Sequence, residues 1–86
     1  MNAAIISTAR TPLCKSWKGS FNNTHGATLG GHVVKHAVER AQINMDEIED
    51  VIFGCADPEG ATGLNIARQI AIRSGAPVTV PGMTIN

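Results

Sequence analysis

Eighty-six residues with 43% hydrophobic content are enough for one globular domain and exclude a disordered chain. Seven basic and seven acidic side chains balance to zero, with no basic cluster and no Tyr, which excludes an electrostatic nucleic-acid binder. The opening apolar run is too short for a signal peptide or a membrane span, so a soluble, cytoplasmic protein without a membrane partner is expected.

The first element is "AAIIS" at 3–7, a continuous apolar run of strand length closed by the turn-like "RTP". From Leu13 to Thr24 the chain mixes Lys, Ser, Gly and Asn and reads as an ordered loop, with Trp17 and Phe21 expected to pin it to the body. The period then becomes helical. Leu29, Val33, Val34, Ala37, Val38 and Ala41 form one stripe, with Thr28 as the expected N-cap. Gly30 and Gly31 each cost ~1 kcal/mol in a helix relative to Ala, which points to close packing of that turn.

Asn44 and Glu47 stand at capping-box spacing before a short helical turn. "VIFGCA" (51–56) is the second strand candidate. After the loop "DPEGATGL", a helix is predicted to open at Asn65 as N-cap and run through "IARQIAIRS". Gly75 stands where a C′ glycine belongs, followed by Pro77. "VTVPGMTIN" (78–86) is the third strand candidate, with Pro81 favouring an entry or edge position.

The predicted order is β-α-β-α-β, an α/β fold with a mostly parallel sheet. Crossovers between parallel strands are right-handed in ~98% of cases, so a sheet growing in one direction carries both helices on one face. The other face is then bare. Yet "AAII" and "VIF" do not alternate polar with apolar, as strands buried on both sides do not. Such a sheet is written to be covered, and the chain is expected to be the front of a larger one.

Chemistry-bearing residues are few. Cys14 and Cys55 form neither a CxxC pair nor a disulfide framework. Lys15 beside Cys14 is a cation able to lower a thiol pKa, but no base or oxyanion site accompanies it. Cys55 reads as a small buried hydrophobe. His32 and His36 stand at i and i+4, the spacing of a two-histidine metal site, but the HExxH glutamate and a third ligand are missing. They read as surface histidines, and no metal is expected. "GATLGG" lacks both the GxGxxG and GK[ST] forms of a phosphate loop, and His25 before it is expected to be solvent-exposed. Arg68 reads as a buried anchor bonding backbone carbonyls, the alternative for it and Gln69 being a solvent-facing position. No catalytic, cofactor-binding or metal residue is therefore expected within residues 1–86.

"STARTPLCKSWKGSF" resembles the first strand and loop of the thiolases. "GLNIARQIAIRSGAPVTVPGMTIN" is similar to the segment of that family carrying Gly63, Asn65, Ala67, Arg68, Gly75, Pro77, Pro81, Thr84 and Asn86. Between them, "LGGHVVKHAVERAQINMDEIEDVIFG" fits the first helix and second strand of the family, so residues 1–86 read as a partial thiolase N-terminal domain. "CADPEGAT" and "CKSWK" depart from its usual small residues.

The resemblance implies an acyltransferase acting on acyl-CoA substrates, in which the nucleophilic cysteine follows two residues past the position of Asn86, at the next helix. It implies no resident cofactor, the coenzyme A thioesters being substrates. It also implies a homodimer or homotetramer in which the strand Gly82–Asn86 meets its own copy antiparallel. The 86-residue chain alone is expected to be inactive and poorly folded. A ketoacyl synthase-like condensing enzyme and a non-catalytic module dimerising through its last strand are the competing readings.

Overall fold

The computed structural model describes all 86 residues. The elements are α1 (Gly26–Ala41), β1 (Val51–Gly54), α2 (Ile66–Arg73) and β2 (Gly82–Ile85), with 3-10 turns at Met45–Glu47 and Gly60–Thr62. β1 and β2 pair in parallel, Val51 opposite Gly82 and Gly54 opposite Ile85. The ladder is closed at its ends by Val51 N–H to Pro81 O and Cys55 N–H to Ile85 O. α2 packs on both strands and α1 packs on α2, the α/β arrangement expected.

Two strands form where three were predicted. Residues 3–7 join no ladder. Ala4, Ile5, Ile6 and Ser7 instead lie across a groove from Ala37, Val38 and Ala41 of α1, with Arg40 Nη1 donating to Thr8 O at 2.8 Å. An apolar run reports burial against something, not which partner provides it. The placement satisfies the segment poorly. Ile5 is 89% exposed, and Ser7 Oγ is buried without a partner. The other two strands are shorter than their apolar runs because pairing stops where the partner strand stops.

α1 begins two residues before the expected cap. His25, not Thr28, is the N-cap, its Nδ1 accepting from Ala27 N–H at 3.0 Å. Of the predicted stripe only Val38 is buried, the others being half-buried. The glycine reading holds. A Cβ on Gly30 would stand 2.5 Å from Ile70 Cδ1 and one on Gly31 2.9 Å from Arg73 Cγ, so these glycines let α1 and α2 approach.

Asn44 N–H donates to the Glu47 carboxylate at 2.9 Å, as the capping-box spacing predicts. Past Arg73, Gly75 adopts φ +97°. Gly75 N–H reaches Ile72 O and Ala76 N–H reaches Ala71 O, the paired bonds of a Schellman stop, which the absence of a Cβ makes inexpensive.

The core is small. Val51, Ala71, Ala76 and Val80 form it, with Met45, Ile48 and Phe53 against its edge. On the far face of the sheet Ile52, Met83 and Ile85 are each about half exposed. That is the bare apolar face the strand patterns implied. A folded monomer of this mass exposes about 4,900 Å² on average, whereas this chain exposes 6475 Å². The surplus, roughly 1,600 Å², is about twice what one partner buries in a standard protein–protein interface. No helix is long and apolar enough to cross a membrane.

Candidate functional site

The densest polar construction joins the start of α2 to β2. Leu64 and Asn65 both take left-handed conformations, φ +56° and +58°, which cost L-residues roughly 1–2 kcal/mol each. The Asn65 side chain is thereby turned away from capping its own helix. Its Nδ2 donates to Gly82 O at 2.9 Å, and its Oδ1 accepts from Thr84 Oγ1 at 2.7 Å. Thr84 does the capping from the neighbouring strand, accepting from Ala67 N–H at 3.0 Å. Gln69 Nε2 holds the turn by donating to Gly63 O at 2.8 Å and Leu64 O at 3.2 Å.

Gly82 makes this contact possible. A Cβ there would lie 2.5 Å from Arg68 N and 2.7 Å from Ala67 C. These are backbone atoms and cannot swing aside. Arg68 completes the brace. Its Nη1 donates to Val80 O and its Nη2 to Val78 O at 2.7 Å, the carbonyl-anchoring role read from the sequence, although the side chain is half-buried rather than enclosed. Asn65, Ala67, Arg68, Gly82 and Thr84 therefore fix where β2 lies and the direction in which it leaves the helix.

The other chemistry-bearing residues are dispersed. Cys14 Sγ lies 3.3 Å from Ser20 Oγ. That hydroxyl and the Phe21 backbone N–H hold the thiol pKa below its ordinary value; Lys15 is not among the causes. Cys55 is half-buried rather than buried. It lines a cavity of about 280 Å³ with Leu29, Gly30, Val33 and Phe53. Trp17, expected to pin the loop, is 88% exposed and contributes only its carbonyl, which accepts from Asn22 Nδ2. Phe21 is half-buried.

His25 is exposed, as expected, and does the capping described above. The groove it shares with Thr28, Arg68, Gln69 and Arg73 has most of its polar groups already committed to backbone partners. His32 and His36 lie side by side on α1. No nucleophile is paired with a base anywhere in this arrangement. The polar network braces the start of α2 against β2.

Sequence reasoning missed two of these roles. His25 as an N-cap carries no signal, since His is not a preferred capping residue. Thr84 as a cap supplied across the sheet depends on a contact 17 residues away in sequence, which no local pattern reports.

A small α/β unit, two parallel strands with both helices stacked to one side and a polar brace at the helix start, is the class this geometry defines. The chain matches the thiolase N-terminal domain over residues 3–86, and it belongs to the thiolase family. It is 45% identical to a 3-ketoacyl-CoA thiolase of Bacillus subtilis over 98% of its length and 22% of that protein's. To 3-ketoacyl-CoA thiolases of Vibrio vulnificus and Acinetobacter baumannii it is 35% identical over 99% of its length and 22% of theirs. The chain thus spans about a fifth of the length of these relatives. The motif positions Asn65, Ala67, Arg68 and Thr84 are the ones the brace employs, together with Gly82.

Proposed function

We propose that residues 1–86 are the N-terminal part of a cytoplasmic acyl-CoA C-acyltransferase. Its reaction is the thiolytic cleavage of a 3-ketoacyl-CoA, or the reverse Claisen condensation of acetyl-CoA. The observation that carries this reading is the thiolase match over residues 3–86. In this reading a cysteine just past Asn86 takes the acyl group as a thioester. It then passes that group to the thiol of CoA, or to the carbanion of acetyl-CoA in the synthetic direction. A thiolate at a helix start gains from the helix dipole and free backbone N–H groups.

Residues 1–86 contribute position, not chemistry. The brace from Asn65 and Thr84 holds β2 against α2, and β2 delivers the chain toward the nucleophile. The bare face of Ile52, Met83 and Ile85 is covered by the rest of the subunit. The free edge of β2 pairs antiparallel with its own copy in a dimer or tetramer, a self-complementary contact of the kind two-fold symmetry requires.

Acylation separates this reading from a catalytic role for the chain's own thiols. Full-length protein incubated with acetyl-CoA and measured by intact and peptide mass should carry one acetyl group, on a cysteine outside residues 1–86. Residues 1–86 alone should carry none. A stable adduct on Cys14 or Cys55 would overturn the assignment.

A further inference from the structure

We infer that His32 and His36 form a two-imidazole site for a divalent transition-metal ion of borderline softness, such as Ni²⁺ or Zn²⁺. The two residues are one helical turn apart on α1, so their side chains leave the same face. Their ring centroids are 4.3 Å apart and the ring planes are tilted by 54° rather than stacked flat. Metal–imidazole bonds of about 2.0–2.1 Å place each ring centroid about 3.2 Å from the ion, so two rings on adjacent coordination positions sit about 4.5–5.2 Å apart. At 4.3 Å the pair falls just short of that window. A small rotation about the side-chain torsions opens it without moving the backbone.

His36 Nδ1 faces Glu39 Oε2 at 3.8 Å. That is longer than a hydrogen bond, so the carboxylate does not fix the ring, but its negative charge beside the imidazole favours a bound cation. His32 is exposed. Arg40, four residues past His36, commits its guanidinium to Thr8 O at 2.8 Å. No group of three or more His, Cys, Asp or Glu side chains converges. The protein therefore supplies two ligands and solvent supplies the others. Nitrogen donors of this kind suit zinc, copper and nickel, not magnesium or calcium.

Within residues 1–86 the third histidine, His25, lies outside the pair and serves as a control. Full-length protein is titrated with Ni²⁺, and separately with Zn²⁺, by calorimetry at neutral pH. The wild type is compared with His32→Ala, His36→Ala, His25→Asn and the double variant Cys14→Ser/Cys55→Ser. The expected result is binding that weakens tenfold or more in either His32→Ala or His36→Ala and is kept in the other two. Circular dichroism checks that each variant remains folded. Absence of binding, affinity within twofold of wild type in both His32→Ala and His36→Ala, or loss in the cysteine variant would each overturn the site.

Discussion

Thr84→Val removes one hydroxyl and keeps the shape of the side chain. In the wild type that hydroxyl accepts from Ala67 N–H at 3.0 Å and donates to Asn65 Oδ1 at 2.7 Å. Ala67 is 0% exposed, so no water can take over as acceptor there, whereas Asn65 is exposed and loses little. An orphaned buried donor costs about 1–3 kcal/mol. At about 1.4 kcal/mol per decade, the opening equilibrium of the α2 start should rise by about 5- to 150-fold. Hydrogen exchange of the peptide covering α2 reads that equilibrium locally, so the rest of the subunit does not mask it. Thr84→Ser keeps the hydroxyl and should exchange nearly as the wild type does. Wild-type exchange in Thr84→Val would refute the cross-strand cap, and so would equal acceleration in Thr84→Ser.

Two further substitutions probe the packing and the loop. Gly82→Ala forces a Cβ against the α2 backbone at 2.5 Å and should cost about 1–3 kcal/mol or more, seen as a lower melting temperature. Gly54→Ala, whose Cβ would meet nothing within 4 Å, should be tolerated far better. The Cys14 thiol is held low chiefly by the Ser20 hydroxyl. That bond stabilises the anion, so Ser20→Ala should shift alkylation of Cys14 by iodoacetamide to higher pH and slow it near neutrality. Peptide mass spectrometry across a pH series checks the direction, and an unmoved profile would exclude the hydrogen bond as the cause.

What could be read from the residues depended on whether the cause was local. The Gly75 stop and the bond from Asn44 to Glu47 follow from geometry within a few residues, and each is present; Gly30 and Gly31 signalled close packing through their helix cost, but not that α2 is the element they meet. Arg68 was legible as an anchor because an arginine amid a buried helix stripe must find acceptors. The strand over 3–7 did not form because apolar content names no partner, and the segment lies by α1 instead of joining β1. Trp17 is exposed for a related reason, since an aromatic side chain in a loop packs only where a surface is offered. The Thr84 cap was hidden because it depends on two elements meeting, and so was the left-handed turn at Leu64 and Asn65. The bare sheet face was legible in the sequence, because strands apolar on both sides need cover on both sides.

In the proposed function β2 leads directly to an acyl-accepting cysteine. Sequencing the coding region downstream of the Asn86 codon tests this most directly. The expected result is an open frame with two residues and then cysteine, followed by a helix-forming stretch that covers Ile52, Met83 and Ile85. A stop codon immediately after Asn86, or an open frame without cysteine at that place, would contradict it.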